Sequence, residues 1–305
     1  MSSSIYELSN LSDKYDEFKK MELQDKKLFT NFRNIDKYID GLQNRCLYIL
    51  AARPGTGKTT LAQNIMTNVA KQLKQDEYVL FLSLELSAVD VYKKFLQIES
   101  NWLTRNEIND LEPTEAIKNE LNRVKDLFKE RKILIFDNEL GERITPSYIQ
   151  NMLDILKSQN IKIRTVFIDY FQQLESNLIN SIEYKAQEDT SKQLKQIAKI
   201  NNINVFCLSQ LSREYEKRRT MIPTFSDLKG TSSIEQDADI IMFLYSQNSN
   251  SYETKTIQEL SLTIAKNRNG LCNTSSLIFN TEQAKFYEKD NFTVIEKYSR
   301  SENGK

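Results

Sequence analysis

Residues 47–60 read Leu-Tyr-Ile-Leu-Ala-Ala-Arg-Pro-Gly-Thr-Gly-Lys-Thr-Thr, an apolar run that breaks into a glycine turn ending in Gly-Lys-Thr. This is a P-loop. Glycine permits the turn and a close backbone approach, so the segment Arg53, Pro54, Gly55, Thr56 and Gly57 can wrap phosphates. Lys58 then reaches the outer phosphates and Thr59 offers a hydroxyl to Mg²⁺. Thr60 continues into a helix whose positive end faces the anion. The implied ligand is a nucleoside triphosphate, ATP being the usual one, with Mg²⁺. One departure stands out: Ala52 occupies the position of the usual first glycine.

Such a loop needs a carboxylate near the metal, a group to orient water, and a cation for developing charge. Thr-Val-Phe-Ile-Asp at 165–169 ends an apolar strand in Asp169, which could share the Mg²⁺ shell with Thr59. Lys-Ile-Leu-Ile-Phe-Asp at 132–137 has the same shape, so Asp137 competes with it. Leu-Ser-Leu-Glu at 82–85 puts Glu85 just past the strand that follows the P-loop helix. There it is either a general base on water or a solvated helix-start glutamate. Gln210 ends Cys-Leu-Ser-Gln and is either a γ-phosphate contact or a structural cap. The stretch 211–233 is long for a connection, and carries Arg213, Lys217, Arg218, Arg219 and Lys229 with hydroxyls at Thr231, Ser232 and Ser233. It is either a basic surface loop or a set of phosphate contacts for a nucleic acid strand. Lys266 and Arg268, two apart, face the same way from an extended segment. They could reach a phosphate as fingers, in cis or across a subunit boundary, or lie in a solvated turn.

The elements that must position these groups are legible as alternating patterns. Short runs rich in Ile, Leu, Val and Phe predict strands at 47–52, 78–83, 132–137, 163–169 and 203–208. Helical stretches lie between them, notably at 58–74, 86–99, 145–158 and 186–201. This alternation implies an α/β fold with a mostly parallel sheet covered on both faces. Beyond 235, strands at 239–245, 259–265, 274–280 and 284–288 follow one another through short turns and should extend the same sheet with antiparallel pairs. The division expected is an arm at 1–27, one large domain at 28–290 and a polar tail at 291–305. In the arm, Leu8, Leu11, Tyr15 and Phe18 line one face of a short helix, packed either on its own domain or on a neighbouring subunit.

Composition narrows the class. The 305 residues contain 42 basic and 42 acidic side chains, so the chain is not a simple basic coat for nucleic acid. No apolar run approaches a membrane span, and the Ser-rich N-terminus lacks the pattern of a secretory signal. Cys46, Cys207 and Cys272 fall in or beside predicted strands without Cys-x-x-Cys spacing, and there is no histidine. They are expected to be buried, reduced thiols of a cytoplasmic protein, with no zinc site.

Taken in order, several motifs resemble one family, the DnaB-type replicative helicases of the RecA-like hexameric class. They are Thr-Asn-Phe-Arg-Asn-Ile-Asp at 30–36, Ala-Ala-Arg-Pro-Gly-Thr-Gly-Lys-Thr at 51–59, Ser-Leu-Glu-Leu at 83–86 and Ile-Asp-Tyr-Phe-Gln at 168–172. Leu-Ser-Gln-Leu-Ser-Arg at 208–213, Ser-Asp-Leu-Lys at 226–229, Ser-Ile-Glu-Gln-Asp-Ala-Asp at 233–239 and Lys-Asn-Arg-Asn-Gly at 266–270 complete the set. The similarity spans roughly 28–287, and the alanine at 52 is usual in that family. It implies a RecA-like core, Glu85 as catalytic glutamate, Asp169 as Walker B acid and Gln210 as γ-phosphate sensor. It also implies Lys266 and Arg268 as fingers supplied in trans, hence a homo-oligomeric ring, hexameric by family habit. Arg213 and the segment Lys229, Gly230, Thr231 and Ser232 are similar to the part that grips single-stranded DNA, though the family usually has Arg-Glu-Ser-Gly where this chain has Lys-Gly-Thr-Ser. Residues 1–27 look like a linker helix that docks on the next subunit. No counterpart of the family's helical collar domain is visible, and a primase or helicase loader is the implied protein partner.

The resemblance therefore implies ATP-driven 5′→3′ travel on single-stranded DNA in replication. A RecA-like DNA-dependent ATPase that loads or remodels DNA without processive unwinding is a second reading. A non-enzymatic scaffold or inhibitor that joins a host helicase ring is a third.

Overall fold

The structure is a computed structural model and describes residues 7–178, 182–218, 221–228, 232–247 and 256–290. In chain order the elements are α1 (Ser12–Gln24), α2 (Arg33–Ile39), β1 (Leu47–Ala52), α3 (Lys58–Ala70), β2 (Glu77–Ser83), α4 (Ala88–Glu99) and α5 (Arg105–Asn109). Next come α6 (Glu115–Lys129), β3 (Ile133–Asp137), α7 (Pro146–Ser158), β4 (Lys162–Asp169), α8 (Glu183–Asn201) and β5 (Asn204–Gln210). The last are α9 (Ser232–Asp237), β6 (Ile240–Tyr245), β7 (Ile257–Asn267), β8 (Asn273–Asn280) and β9 (Lys285–Glu288).

The strands form one sheet in the order β3-β2-β4-β5-β1-β6-β7-β8-β9. The pairs from β3 through β6 are parallel, and those from β6 to β9 antiparallel. The sequence expectation of antiparallel pairing beyond 235 thus needs one correction. Strand β6 pairs parallel with β1, because α9 and the segment before it carry the chain back across the sheet.

Burial on both faces explains why the central strands are uninterrupted apolar runs. In β1, Leu47, Ile49 and Ala51 join the layer formed with Ile149 and Leu153 of α7 and Leu194 and Ile197 of α8. Tyr48, Leu50 and Ala52 face the other layer, with Leu61, Ile65 and Val69 of α3 and Val91 and Phe95 of α4. Phe206 stacks on Tyr48 at 5.8 Å and packs against Phe167 at 5.0 Å, which ties β5 to both its neighbours.

Sequence periodicity singled out neither α2 nor α5, α6 and α9. Helix α6 shows why: it buries only Ile117, Glu120 and Val124 of its 15 residues. Its signal is capping instead, with Thr114 accepting from Ile117 N. Cys46 and Cys207 are buried as expected, but Cys272 is exposed, because it sits in the β7–β8 turn beside Leu271, which is exposed too. Among the described residues no helix is long and apolar enough to cross a membrane.

The arm does not bury its apolar face on its own domain: Leu8, in the 3₁₀ turn before α1, and Tyr15 and Phe18 on α1 are 85%, 57% and 42% exposed. Its root is fixed, however. Arg164 donates to Lys26 O at 3.0 Å and to buried Glu77 at 2.6 Å, while Lys162 pairs with Asp25 at 2.9 Å. The chain therefore leaves the domain at a defined point. A cavity of about 1160 Å³, lined by Phe18, Lys19, Arg45, Cys46 and Lys195, lies between this arm and the start of β1.

Phe206→Ala is expected to cost about 3–5 kcal/mol of stability. Ile200→Ala, at a position 66% exposed, should stay within about 0.5 kcal/mol. Denaturant unfolding checks both, and equal losses would contradict this placement of the core.

Candidate nucleotide-binding site

Six parallel strands deliver their C-terminal ends to one edge of the sheet, where open α/β sheets bind ligands. Register aligns them: Ser83 pairs with both Asp137 and Asp169, and Ala52 with Gln210. Beyond β1 the chain turns through Arg53–Gly57, with Thr56 N donating to Arg53 O at 3.3 Å. Gly55 and Gly57 hold φ of +82° and +95°, the left-handed region that favours glycine. Gly57 caps α3, so the positive end of that 13-residue helix opens onto the loop.

Strand order sets the two acids apart. Asp169, on β4, is two strands from β1, whereas Asp137, on β3, is four away at the sheet edge. Asp169 Oδ2 accepts from Thr59 Oγ1 at 2.6 Å, and Lys58 Nζ stands 3.8 Å from Oδ1. Asp137 Oδ2 instead accepts from Ala88 N at 2.7 Å, at the start of α4. The structure brings Asp169 to the loop and leaves Asp137 with a structural partner.

Lys58 is held between Asp169 and the face of Tyr170, whose ring centroid is 4.7 Å away. Burial holds the Lys58 ammonium below the usual lysine range, opposed by the nearby Asp169 and Glu85 carboxylates. Burial likewise raises the Asp169 carboxyl above its usual range, opposed by Lys58 and the Thr59 hydroxyl. Asp169 Oδ1 is buried and accepts no hydrogen bond. An orphaned carboxylate oxygen beside a hydroxyl is a donor set that fits Mg²⁺, whose remaining positions are normally filled by water and phosphate.

Glu85 lies two residues past β2, exposed and within electrostatic range of Lys58. Gln210 is half-buried at the end of β5. Its backbone N–H donates to Gln172 Oε1 at 3.2 Å, and Gln172 Nε2 donates to Ser209 Oγ at 3.0 Å. Gln172 thus clamps the ends of β4 and β5. Sequence reading missed that role, though the residue sits in the quoted Ile-Asp-Tyr-Phe-Gln motif.

The two candidate finger cations are elsewhere. Lys266 Nζ donates to the carbonyls of Glu235 and Gln236 at the end of α9. Arg268 reaches Gln236 O, and meets Asp239 Oδ1 at 3.3 Å. Asp239 also accepts from Leu47 N at 2.7 Å and pairs with Lys195, so Arg268 stands at the level where β1 begins. The phosphate loop leaves the other end of β1. Six residues of strand separate the two, about 20 Å.

Of the candidate DNA contacts, Arg213 is exposed on the turn after β5. Lys229, Gly230 and Thr231 lie outside the described residues, and Ser232 opens α9, with its side chain undescribed. Arg219 is outside them too. Thr60, Pro54 and Thr56 are in or beside the phosphate loop as expected, while the Arg53 guanidinium reaches Glu216 and Leu211 O.

The two loop glycines differ in surroundings. A Cβ at Gly55 would meet nothing within 4 Å, whereas at Gly57 it would lie 3.0 Å from Phe279 and 3.1 Å from Phe286. Those rings stack at 4.4 Å. Gly55→Ala should therefore cost only the left-handed strain, about 1–2 kcal/mol. Gly57→Ala should lose more, and lose nucleotide affinity as the stacked rings move. Thermal unfolding with and without ATP reads the difference; an equal cost at both positions would contradict the packing.

The family model described as "DnaB-like helicase C terminal domain" matches residues 28–288. The replicative DNA helicase DnaC of Bacillus subtilis strain 168 is 36% identical over 259 residues, covering 84% of this chain and 55% of that protein. The replicative DNA helicase DnaB of Mycoplasma genitalium is 32% identical over 280 residues, covering 89% and 58%. The chain thus spans somewhat over half the length of these curated relatives. A solved structure of an ATPase domain aligns with a TM-score of 0.79 at 28% identity, over 92% of this chain and 99% of that one. A DnaB-like replicative helicase, solved in a study of its interactions with primase, aligns with a TM-score of 0.79 at 29% identity over 92% and 68%. The sheet order, the phosphate loop and the matched span together place this chain in the DnaB-like helicase C-terminal domain family, with a RecA-like ATPase fold.

Proposed function

We propose that this chain is the motor of a replicative DNA helicase, hydrolysing ATP in a homo-oligomeric ring, hexameric in its family's manner, that travels on single-stranded DNA. The observation that carries this reading is the separation of phosphate loop and finger cations by the length of β1. One chain does not bring Arg268 to its own phosphates, so in this reading a second subunit supplies it.

In this mechanism Lys58 and the N–H groups of the loop and α3 hold the phosphates. Thr59 and Asp169 would hold Mg²⁺, which screens charge on the β- and γ-phosphates when bound. Glu85 orients and deprotonates the attacking water. Lys266 and Arg268 of the neighbour stabilise charge on the equatorial oxygens. Gln210 senses loss of the γ-phosphate, and its link through Gln172 gives that signal a path between β4 and β5. Arg213 and the segment 229–232 contact the DNA backbone. The exposed apolar face of α1 docks on an adjacent copy, which also accounts for its lack of cover here. A primase or helicase loader is the protein partner this role calls for.

ATP turnover per chain should rise steeply with protein concentration and be stimulated by single-stranded DNA. In Arg268→Ala, kcat should fall by about 10³-fold or more with a smaller change in KM. Turnover linear in protein, indifferent to DNA and insensitive to Arg268 would sink the ring reading. Strong DNA-stimulated turnover without strand displacement of a forked duplex would favour the remodelling ATPase instead.

A further inference from the structure

Arg53 belongs to the phosphate loop, yet its guanidinium spans a gap of 163 positions in sequence. Its Nε meets Glu216 Oε1 at 3.0 Å and its Nη1 donates to Leu211 O at 2.9 Å. The Arg53 side chain is 10% exposed and that of Glu216 31%, so the guanidinium is largely shielded while its partner carboxylate stays partly open to water. Beside it, Leu211 N donates to Ala52 O at 3.0 Å. The residues flanking the start of the phosphate loop are thus clipped twice to the chain leaving β5.

The stretch they are clipped to is cross-linked within itself. Leu211 and Leu228 form an antiparallel bridge, and Ser212 N donates to Asp227 O at 2.7 Å. Asp227 is 2% exposed and gathers Arg218, Thr224 N and the Thr224 hydroxyl. The described parts of 211–228 therefore close on themselves, and Leu228 leads directly into 229–232. One end of this body touches the phosphate loop through Arg53; the other end precedes the proposed DNA contacts.

We propose that the Arg53–Glu216 pair is the strut through which nucleotide in the phosphate loop sets the grip of the same subunit on single-stranded DNA, with Arg53 a positioning residue. A guanidinium is suited to this: its planar fork engages a carboxylate and a carbonyl at once and resists sliding, which a lysine ammonium would not. A shift of the loop on phosphate binding is passed to Glu216 and Leu211, and from there through the Leu211–Leu228 bridge. This inference rests on the helicase reading, and its test separates the two.

The test uses the full chain with Glu216→Gln, which keeps shape and removes charge, and Glu216→Asp, which keeps charge on a shorter arm. Affinity for a fluorescent oligo-dT is measured with a non-hydrolysable ATP analogue and with ADP, beside turnover with and without the oligonucleotide. Glu216→Gln should leave basal turnover and ADP-state affinity within about twofold. The extra affinity conferred by the ATP analogue, and the DNA stimulation, should fall about tenfold, the weight of a coupling near 1.4 kcal/mol. Glu216→Asp should recover part of both. If Glu216→Gln keeps wild-type stimulation and tightening, the strut is wrong and the helicase reading stands. If affinity falls equally in both nucleotide states, the pair only keeps the loop folded and the strut is again wrong. A wild type that does not respond to the oligonucleotide overturns the strut and the helicase reading together.

Discussion

Strand β1 imposes the governing constraint. Its C-terminal end opens into the phosphate loop, while its N-terminal end is hydrogen-bonded to Asp239, the residue that receives Arg268. A buried strand in the middle of a nine-stranded sheet cannot shorten or bend to bring these ends together. The phosphate loop and the Lys266–Arg268 pair therefore lie toward opposite ends of one strand of the same chain. In the proposed reading assembly closes the site, and a closed ring would do so for every copy at once. The same two cations satisfy carbonyls at the end of α9, which follows directly on the proposed DNA contacts. Engaging a neighbour's phosphate would have to compete with those contacts.

Within one chain, the site is organised by how strand ends line up. Asp169 is brought beside Thr59 and Lys58 because β4 lies two strands from β1. Its burial disfavours an uncompensated charge, and the ammonium and hydroxyl beside it offset only part of that cost. An oxygen left without a hydrogen bond in such a place is the one that the proposed function gives to Mg²⁺. Lys58, itself short of water, is held ready by Asp169 and Tyr170. The polar groups that are costly to bury here are those a bound nucleotide would use.

Much of this was legible in the sequence, for a physical reason. Strands buried on both faces must be apolar throughout, so β1, β2, β4 and β5 could be located to within a residue or two. The phosphate loop needs glycines at positive φ, and Gly55 and Gly57 are where the pattern put them. Helix α6 was not legible, since few of its residues are buried and its surface is charged. The choice of Asp169 over Asp137 came from the Ile-Asp-Tyr-Phe-Gln motif rather than from strand pattern, because both acids end similar strands that the order β3-β2-β4-β5-β1 sets apart. Cys272 shows that a position beside a strand need not be covered. The Arg53–Glu216 contact and the clamp made by Gln172 depend on distant segments meeting, which local pattern does not encode.

An ATP site shared between two copies is tested most directly by complementation. Lys58→Ala lacks the phosphate-binding half and Arg268→Ala lacks the finger, so each alone should turn over ATP far below wild type. Mixed and allowed to exchange subunits, they should regain activity at those interfaces where an intact Lys58 meets an intact Arg268. Recovery rising to a fixed fraction of wild type with mixing ratio is the predicted result. A mixture no more active than the sum of its parts, in particles shown to contain both variants, would contradict a shared site.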